Sequence, residues 1–275
     1  MPVRILEPLK TLGLLLSLLP RRPHEFLDRT AGYAELGLER LSGVPPSYET
    51  VGWEDALQSL EDGPGRAAEI LAEPALLEVE RRTRRLLGEI RTADAFSQRW
   101  AADSLFARLC YLACRIVVPE TVVETGVAYG VSSAYILRAL EQNGRGTLHS
   151  VDLPPLRREY ERFWGIAVPE GLRERWLIHR GSSRRVLPGL LQETGPLDLF
   201  VHDSLHTLHN MRREFDAVWP HLRKGGFILA DDVERNGAFA DLCRKDPSLW
   251  RVVRDREREP LHGKAAPVVF GIAGK

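Results

Sequence analysis

Between residues 121 and 273 the chain alternates short, nearly continuous apolar runs with stretches whose apolar residues recur at helical spacing. The runs Thr121–Thr125, Gly146–Val151, Arg175–His179, Leu197–Val201 and Gly226–Ala230 predict five buried strands. Helical spacing lies between most of them, as from Ser132 to Leu140. Such alternation implies an α/β fold with a mostly parallel sheet covered by helices on both faces. After Asp232 a short helix, Gly237 to Arg244, precedes two more runs, Leu249–Arg254 and Val268–Ala273, joined by a polar loop through Gly263. Two strands so close together predict an antiparallel hairpin, bringing the sheet to seven strands.

Residues 1–95 read differently. Pro23 to Leu41 and Arg66 to Arg91 predict amphipathic helices, with breaks at Gly43-Val-Pro-Pro-Ser and Gly63-Pro-Gly. Ala93 to Val117 predicts a further helix running into the first strand. With no strand of convincing period, 1–95 is expected to be a helical N-terminal cap or oligomerisation region, leaving 96–275 as the main domain. The run Leu12 to Leu19 is far short of the ~20 residues that span a bilayer, and Pro20-Arg-Arg-Pro23 replaces a cleavage site. It is expected to be an amphipathic helix packed on the body, with peripheral membrane contact as the alternative.

Composition narrows the field. Thirty-eight basic side chains balance 38 acidic ones, so no excess charge points to nucleic acid or an anionic membrane, and a small or neutral partner is favoured. Cys110, Cys114 and Cys243 form neither a disulfide framework nor a metal-binding pair, and are expected to be reduced residues of a cytoplasmic protein.

The candidate chemistry gathers at strand ends. Glu124-Thr-Gly-Val-Ala-Tyr-Gly130 follows the first strand and opens a helix, the layout of a nucleotide-type site, but its glycine spacing is not the G-x-G-x-x-G of a nicotinamide turn. That disfavours an NAD-dependent oxidoreductase. Asp152 ends the next strand, where a carboxylate commonly grips ribose hydroxyls. The small polar turn at Gly181-Ser-Ser follows the third strand. Asp203 and the Asp231-Asp232 pair end the fourth and fifth. In an open α/β sheet these tips meet at one crevice, and three acids there call for a cation.

Together these residues resemble the class I S-adenosylmethionine-dependent methyltransferases, over roughly Val122 to Val233. Within them the chain is similar to the divalent-metal O-methyltransferases of the catechol type and to bacterial enzymes that methylate sugars and other natural products. The resemblance implies a Rossmann-like sheet and a cofactor site built from Glu124, Gly126, Ala128, Gly130, Ser132, Asp152, Ser183, Arg184 and Asp203. It implies Mg²⁺ on Asp203, Asp231 and Asp232, with His206, three residues past Asp203, as general base where catechol-type enzymes carry lysine. His202 and His209 are expected to be packing or surface residues. The expected activity is O-methylation of a small-molecule or sugar hydroxyl, with a homo-oligomer among the expected partners; a noncatalytic cofactor-binding or scaffold protein is the alternative. Leu153 to Trp176, with Tyr160, Phe163 and Trp164, is long for a connection and is read as either a substrate lid or a surface helix.

Overall fold

The computed structural model describes residues 3–42, 46–60, 65–90, 95–256 and 267–275, with the backbone alone for 3–10 and 40–42. The breaks at 43–45 and 61–64, the two ends meeting at 91–94 and the loop through Gly263 lie outside the described residues.

Seven strands form one sheet: β1 Thr121–Thr125, β2 Thr147–Asp152, β3 Trp176–Arg180, β4 Leu197–His202, β5 Leu222–Asp231, β6 Leu249–Arg256 and β7 Pro267–Gly274. Their order is β3-β2-β1-β4-β5-β7-β6. β1 to β5 pair in parallel, whereas β7 runs antiparallel to β5 and forms the hairpin with β6. This is the α/β, Rossmann-like sheet with an antiparallel C-terminal hairpin that the pattern predicts. The order reverses between β1 and β4, and the carboxyl ends of those two strands define the crevice.

Neighbouring valines show why the central strands read as unbroken apolar runs. Val122 faces one apolar cluster with Phe106, Leu109, Tyr135 and Phe270, while Val123 faces the other with Phe200, Met211, Phe215 and Phe239. The first face is covered by α6 Ser104–Val117 and α7 Val131–Asn143. The second is covered by α8 Ser183–Thr194, α9 Leu208–Val218 and α10 Ala238–Cys243.

The N-terminal helices are α1 Val3–Leu18, α2 Pro23–Ser42, α3 Trp53–Leu60, α4 Arg66–Leu71 and α5 Pro74–Glu89. The single helix expected over Arg66–Arg91 is two, because Pro74 cannot extend a helix but starts one well, and it occupies the first turn of α5. Trp53, Leu57, Ile70, Leu76 and Val79 belong to the same cluster as Phe106 and Phe270. One residue of this region joins the sheet: Val51 bridges Val253 in parallel, donating to Val252 O and accepting from Arg254 N. The helix expected from Ala93 begins only at Ser104, and residues 95–103 form a loop with one 3₁₀ turn. The stretch read as a substrate lid or a surface helix is, up to Arg175, irregular chain with two 3₁₀ turns, Arg158–Phe163 and Glu170–Arg175, and so not a surface helix. Among the described residues no helix is long and apolar enough to cross a membrane.

Candidate active site

The glycine turn is shaped by its contact with the next strand end. Gly126 has φ 89°, and a Cβ there would lie 1.9 Å from the carbonyl oxygen of Asp203. Only glycine lets the tips of β1 and β4 approach so closely. Gly130, at φ 78°, meets Gly165 instead, where a Cβ would stand 2.9 Å from the Gly165 Cα. The irregular segment is tied over the turn by Gly165 N–H to Ala128 O and Ala167 N–H to Tyr129 O, both 2.9 Å.

Glu124 and Ser132 face inward. The Glu124 carboxylate is fully buried and accepts from the hydroxyls of Ser132 (2.5 Å), Ser133 (2.6 Å) and Ser150 (2.7 Å). Burial raises its pKa to about 7, against the pull of these three donors. The cluster joins β1, β2 and the first turn of α7 behind the glycine turn. Asp152 holds the turn from the other side: its Oδ2 accepts from Val127 N–H (3.1 Å), Ala128 N–H (3.2 Å) and Trp164 Nε1–H (2.8 Å). Burial raises its pKa too, and these donors partly offset the rise. Ser183 begins α8 and donates a long bond to Asn210 Oδ1, 3.4 Å. Arg184 is exposed and pairs with Glu35 of α2.

Asp203, His206 and Asp231 come together past the ends of β4 and β5, with one potential ligand atom of each within 4.8 Å of the others. Their side chains are nearly enclosed: those of Asp203 and His206 are 12% and 14% exposed. His206 Nε2 stands 3.8 Å from Asp203 Oδ1 and has no hydrogen-bond partner, although it is buried. Its Nδ1 lies 3.3 Å from Asp232 Oδ2. Asp232, in the left-handed region at φ 54°, is thus turned to the far side of the imidazole, where Arg235 also holds it at 2.5 Å. Burial, then the charge of Asp232, holds the Asp203 carboxyl well above the usual range; burial, then Asp232 and Asp203, does the same to Asp231. Burial pushes the His206 pKa well down, and the neighbouring His202 and Arg235 push it further. Asp203 does not cap α9, since Thr207 Oγ1 accepts from Asn210 N–H at that position.

Two neighbours, Glu214 and Asp103, escape a reading of the sequence. Glu214 of α9 is buried and accepts from Thr125 Oγ1, Ser204 Oγ and Asn210 Nδ2, with His202 Nδ1 at 2.7 Å. Burial alone would raise its pKa, but His202 and these donors bring it down to about 2. His202 is therefore buried against a carboxylate and His209 is exposed. Asp103, just before α6, acts electrostatically on both Asp203 and Asp231. Trp164, named with the long connection, donates to Asp152.

Residues 123–233 match the family model described as a methyltransferase domain, a stretch holding the glycine turn, Asp152 and all the acids of the crevice except Asp103. Residues 123–233 therefore form a methyltransferase domain. The methyltransferase relatives include L-olivosyl-oleandolide 3-O-methyltransferase from Streptomyces antibioticus, 30% identical over 74 residues. That match covers 25% of this chain and only 19% of the length of that protein. Among solved structures, the O-methyltransferase TomG from Streptomyces achromogenes, involved in tomaymycin synthesis and crystallised with S-adenosylmethionine, superposes with a TM-score of 0.50 at 17% identity. The superposition covers 74% of this chain and 91% of TomG, which is a likeness of fold.

Proposed function

We propose that this chain transfers the methyl group of S-adenosylmethionine to a hydroxyl oxygen of a small molecule or sugar, with a divalent cation such as Mg²⁺ assisting. The observation that carries the reading is the meeting of Asp203, Asp231 and a buried, unpartnered His206 Nε2 at the crevice beside the glycine turn. The oxygen-methylating activity named for the Streptomyces antibioticus relative supports an oxygen acceptor. The donor set suits a cation: two enclosed carboxylates whose ionisation is opposed by burial and by each other gain from a positive charge between them. When bound, such an ion lowers the pKa of a coordinated hydroxyl by several units.

The chain's own residues supply the rest. Asp203 and Asp231 hold the ion, and Asp152 offers its carboxylate to the cofactor's ribose at the edge of the glycine turn. Asp232, beside Nδ1, keeps the proton on that nitrogen, so Nε2 carries the lone pair and takes the acceptor's proton. The depressed pKa keeps the imidazole neutral near pH 7. The segment pinned by Gly165 and Ala167 closes one side of the site to water. Alignment of two bound reactants can account for about 7 to 11 kcal/mol of the barrier, and no covalent enzyme intermediate is needed.

A second reading makes His206 a ligand, because Nε2 belongs to the same 4.8 Å group as Asp203 and Asp231. Titrating Mn²⁺ into His206→Gln separates the two: unchanged metal affinity with lost turnover supports the base, and loss of both supports the ligand. Methyl transfer from labelled S-adenosylmethionine, screened against sugars, phenols and hydroxylated natural products before and after EDTA, tests the whole proposal. Full activity in the chelated enzyme removes the cation. Cofactor binding without transfer to any acceptor favours the scaffold alternative. The free cysteines, two of them buried, support a reducing, cytoplasmic setting.

A further inference from the structure

Helix α2 is held to the body by charge and hydrogen bonds, not by the apolar core. Among the described residues before Tyr48, none belongs to either apolar cluster, and the buried Leu15 of α1 lies outside both. The side of α2 that meets the body is polar instead. Glu25, Asp28, Arg29, Gly32, Glu35 and Glu39 recur at helical spacing and are all half-buried. Four of these six residues are acids, and the side chains they face on the body include Arg180, Arg184, Arg185 and Arg213.

These contacts fall on the chain that leaves the carboxyl ends of three strands. Past β2, Pro154 O accepts from Arg29 at 2.5 Å. At the end of β3, Arg180 stands 4.0 Å from Glu25, and at the start of α8 Arg185 pairs with Asp28 at 2.9 Å and Arg184 pairs with Glu35. Past β4, Thr207 Oγ1 donates to Glu35 at 3.0 Å and Leu208 N–H to Glu39 at 3.1 Å, while a Cβ on Gly32 would stand 3.4 Å from Leu205. β1 lies between β2 and β4 in the sheet, so a helix tied on both sides of it crosses the strand end that carries the glycine turn. The length suffices: from Glu25 to Glu39 the helix rises about 21 Å, against about 14 Å for the three strand spacings from β3 to β4. Asp152, Ser183 and Asp203 each stand one or two residues from a contact with α2.

We propose that α2 is the gate of the cofactor site, closing over S-adenosylmethionine and lifting to release S-adenosylhomocysteine; this rests on the cofactor reading above. A clamp of half-exposed ion pairs suits that task, because each is worth little and is screened by salt, so the helix can lift while both apolar clusters stay packed. The test follows the release of S-adenosylhomocysteine from the full chain by stopped flow. Raising salt from ~0.1 M to ~1 M shortens the screening length from ~10 Å to ~3 Å and should speed release. Asp28→Arg, which sets like charges against each other at Arg185, should speed it by ~5-fold or more at low salt, and the swap Asp28→Arg/Arg185→Asp should restore slow release. If the variants misfold, hydrogen exchange of the wild type is the second test: the α2 amides should exchange faster than those of α6 and slow down when S-adenosylhomocysteine is bound. Equal release rates in wild type and Asp28→Arg, a swap that fails to restore slow release, or α2 amides indifferent to the ligand overturn the gate alone. Absence of S-adenosylhomocysteine binding in every chain overturns the cofactor reading and the gate with it.

Discussion

Replacing Glu124 with glutamine tests how the cofactor turn is anchored. The side chain is fully buried among the hydroxyls of Ser132, Ser133 and Ser150, and its pKa rises from 4.5 to about 7. At 1.36 kcal/mol per unit, that rise of 2.5 units corresponds to about 3 kcal/mol. The sign follows from linkage. The folded protein holds this proton more tightly than the unfolded chain, so the stabilisation is complete below about pH 4.5 and is lost as pH rises through about 7. Glutamine keeps the shape, does not titrate, and can donate to a serine oxygen. The unfolding free energy of wild type minus that of Glu124→Gln should therefore fall by most of that amount between about pH 5 and about pH 8. Urea titrations across this range measure it, and the other buried acids cancel because both proteins contain them. Parallel pH profiles would show that Glu124 stays ionised throughout and that the serines overcome its burial.

Other outcomes follow from the same site. Mg²⁺ or Mn²⁺ should raise the thermal midpoint of the wild type and have no effect on Asp203→Asn or Asp231→Asn, since burial and mutual repulsion oppose ionisation of these acids in the metal-free protein; an equal shift in the variants places the ion elsewhere. Asp152→Ala should weaken S-adenosylmethionine binding by about 1–3 kcal/mol in isothermal titration, and unchanged affinity would remove Asp152 from the cofactor site. His206→Ala should lower kcat by ~100-fold or more with cofactor affinity nearly intact, whereas wild-type turnover would make the imidazole structural.

The sheet was legible because its strands are buried on both faces. Val122 and Val123 each meet a separate apolar cluster, so β1 reads as an unbroken apolar run bounded by a glycine. Boundaries were less visible where polar residues take part in pairing: β5 starts at Leu222, and Arg223 and Lys224 extend it on an exposed stretch that carries no apolar signal. Pro74 was a visible stop inside the charged helix, but helical spacing on both sides of it masked the break between α4 and α5. The 95–103 loop looked helical because Phe96, Ala101 and Ala102 are apolar, yet what buries Phe96 is ring stacking on Tyr129, at 4.1 Å between centroids.

At the candidate site, residue type was readable and direction was not. Adjacent acids at a strand end look equivalent in a sequence, but one backbone angle separates them: Asp231 still follows β5 into the crevice, whereas positive φ at Asp232 turns its carboxylate to the far side of His206. That turn decides which nitrogen of the imidazole is left over, and hence whether His206 faces Asp203 and Asp231 with a proton or with a lone pair. Glu214 was hidden for a related reason, since it reaches the site from α9, 12 residues from His202, through side-chain bonds that no local pattern encodes. Its four partners come from β1, β4, the following loop and α9, so one buried carboxylate fixes the relative placement of the strand tips on which Asp203 and the glycine turn depend.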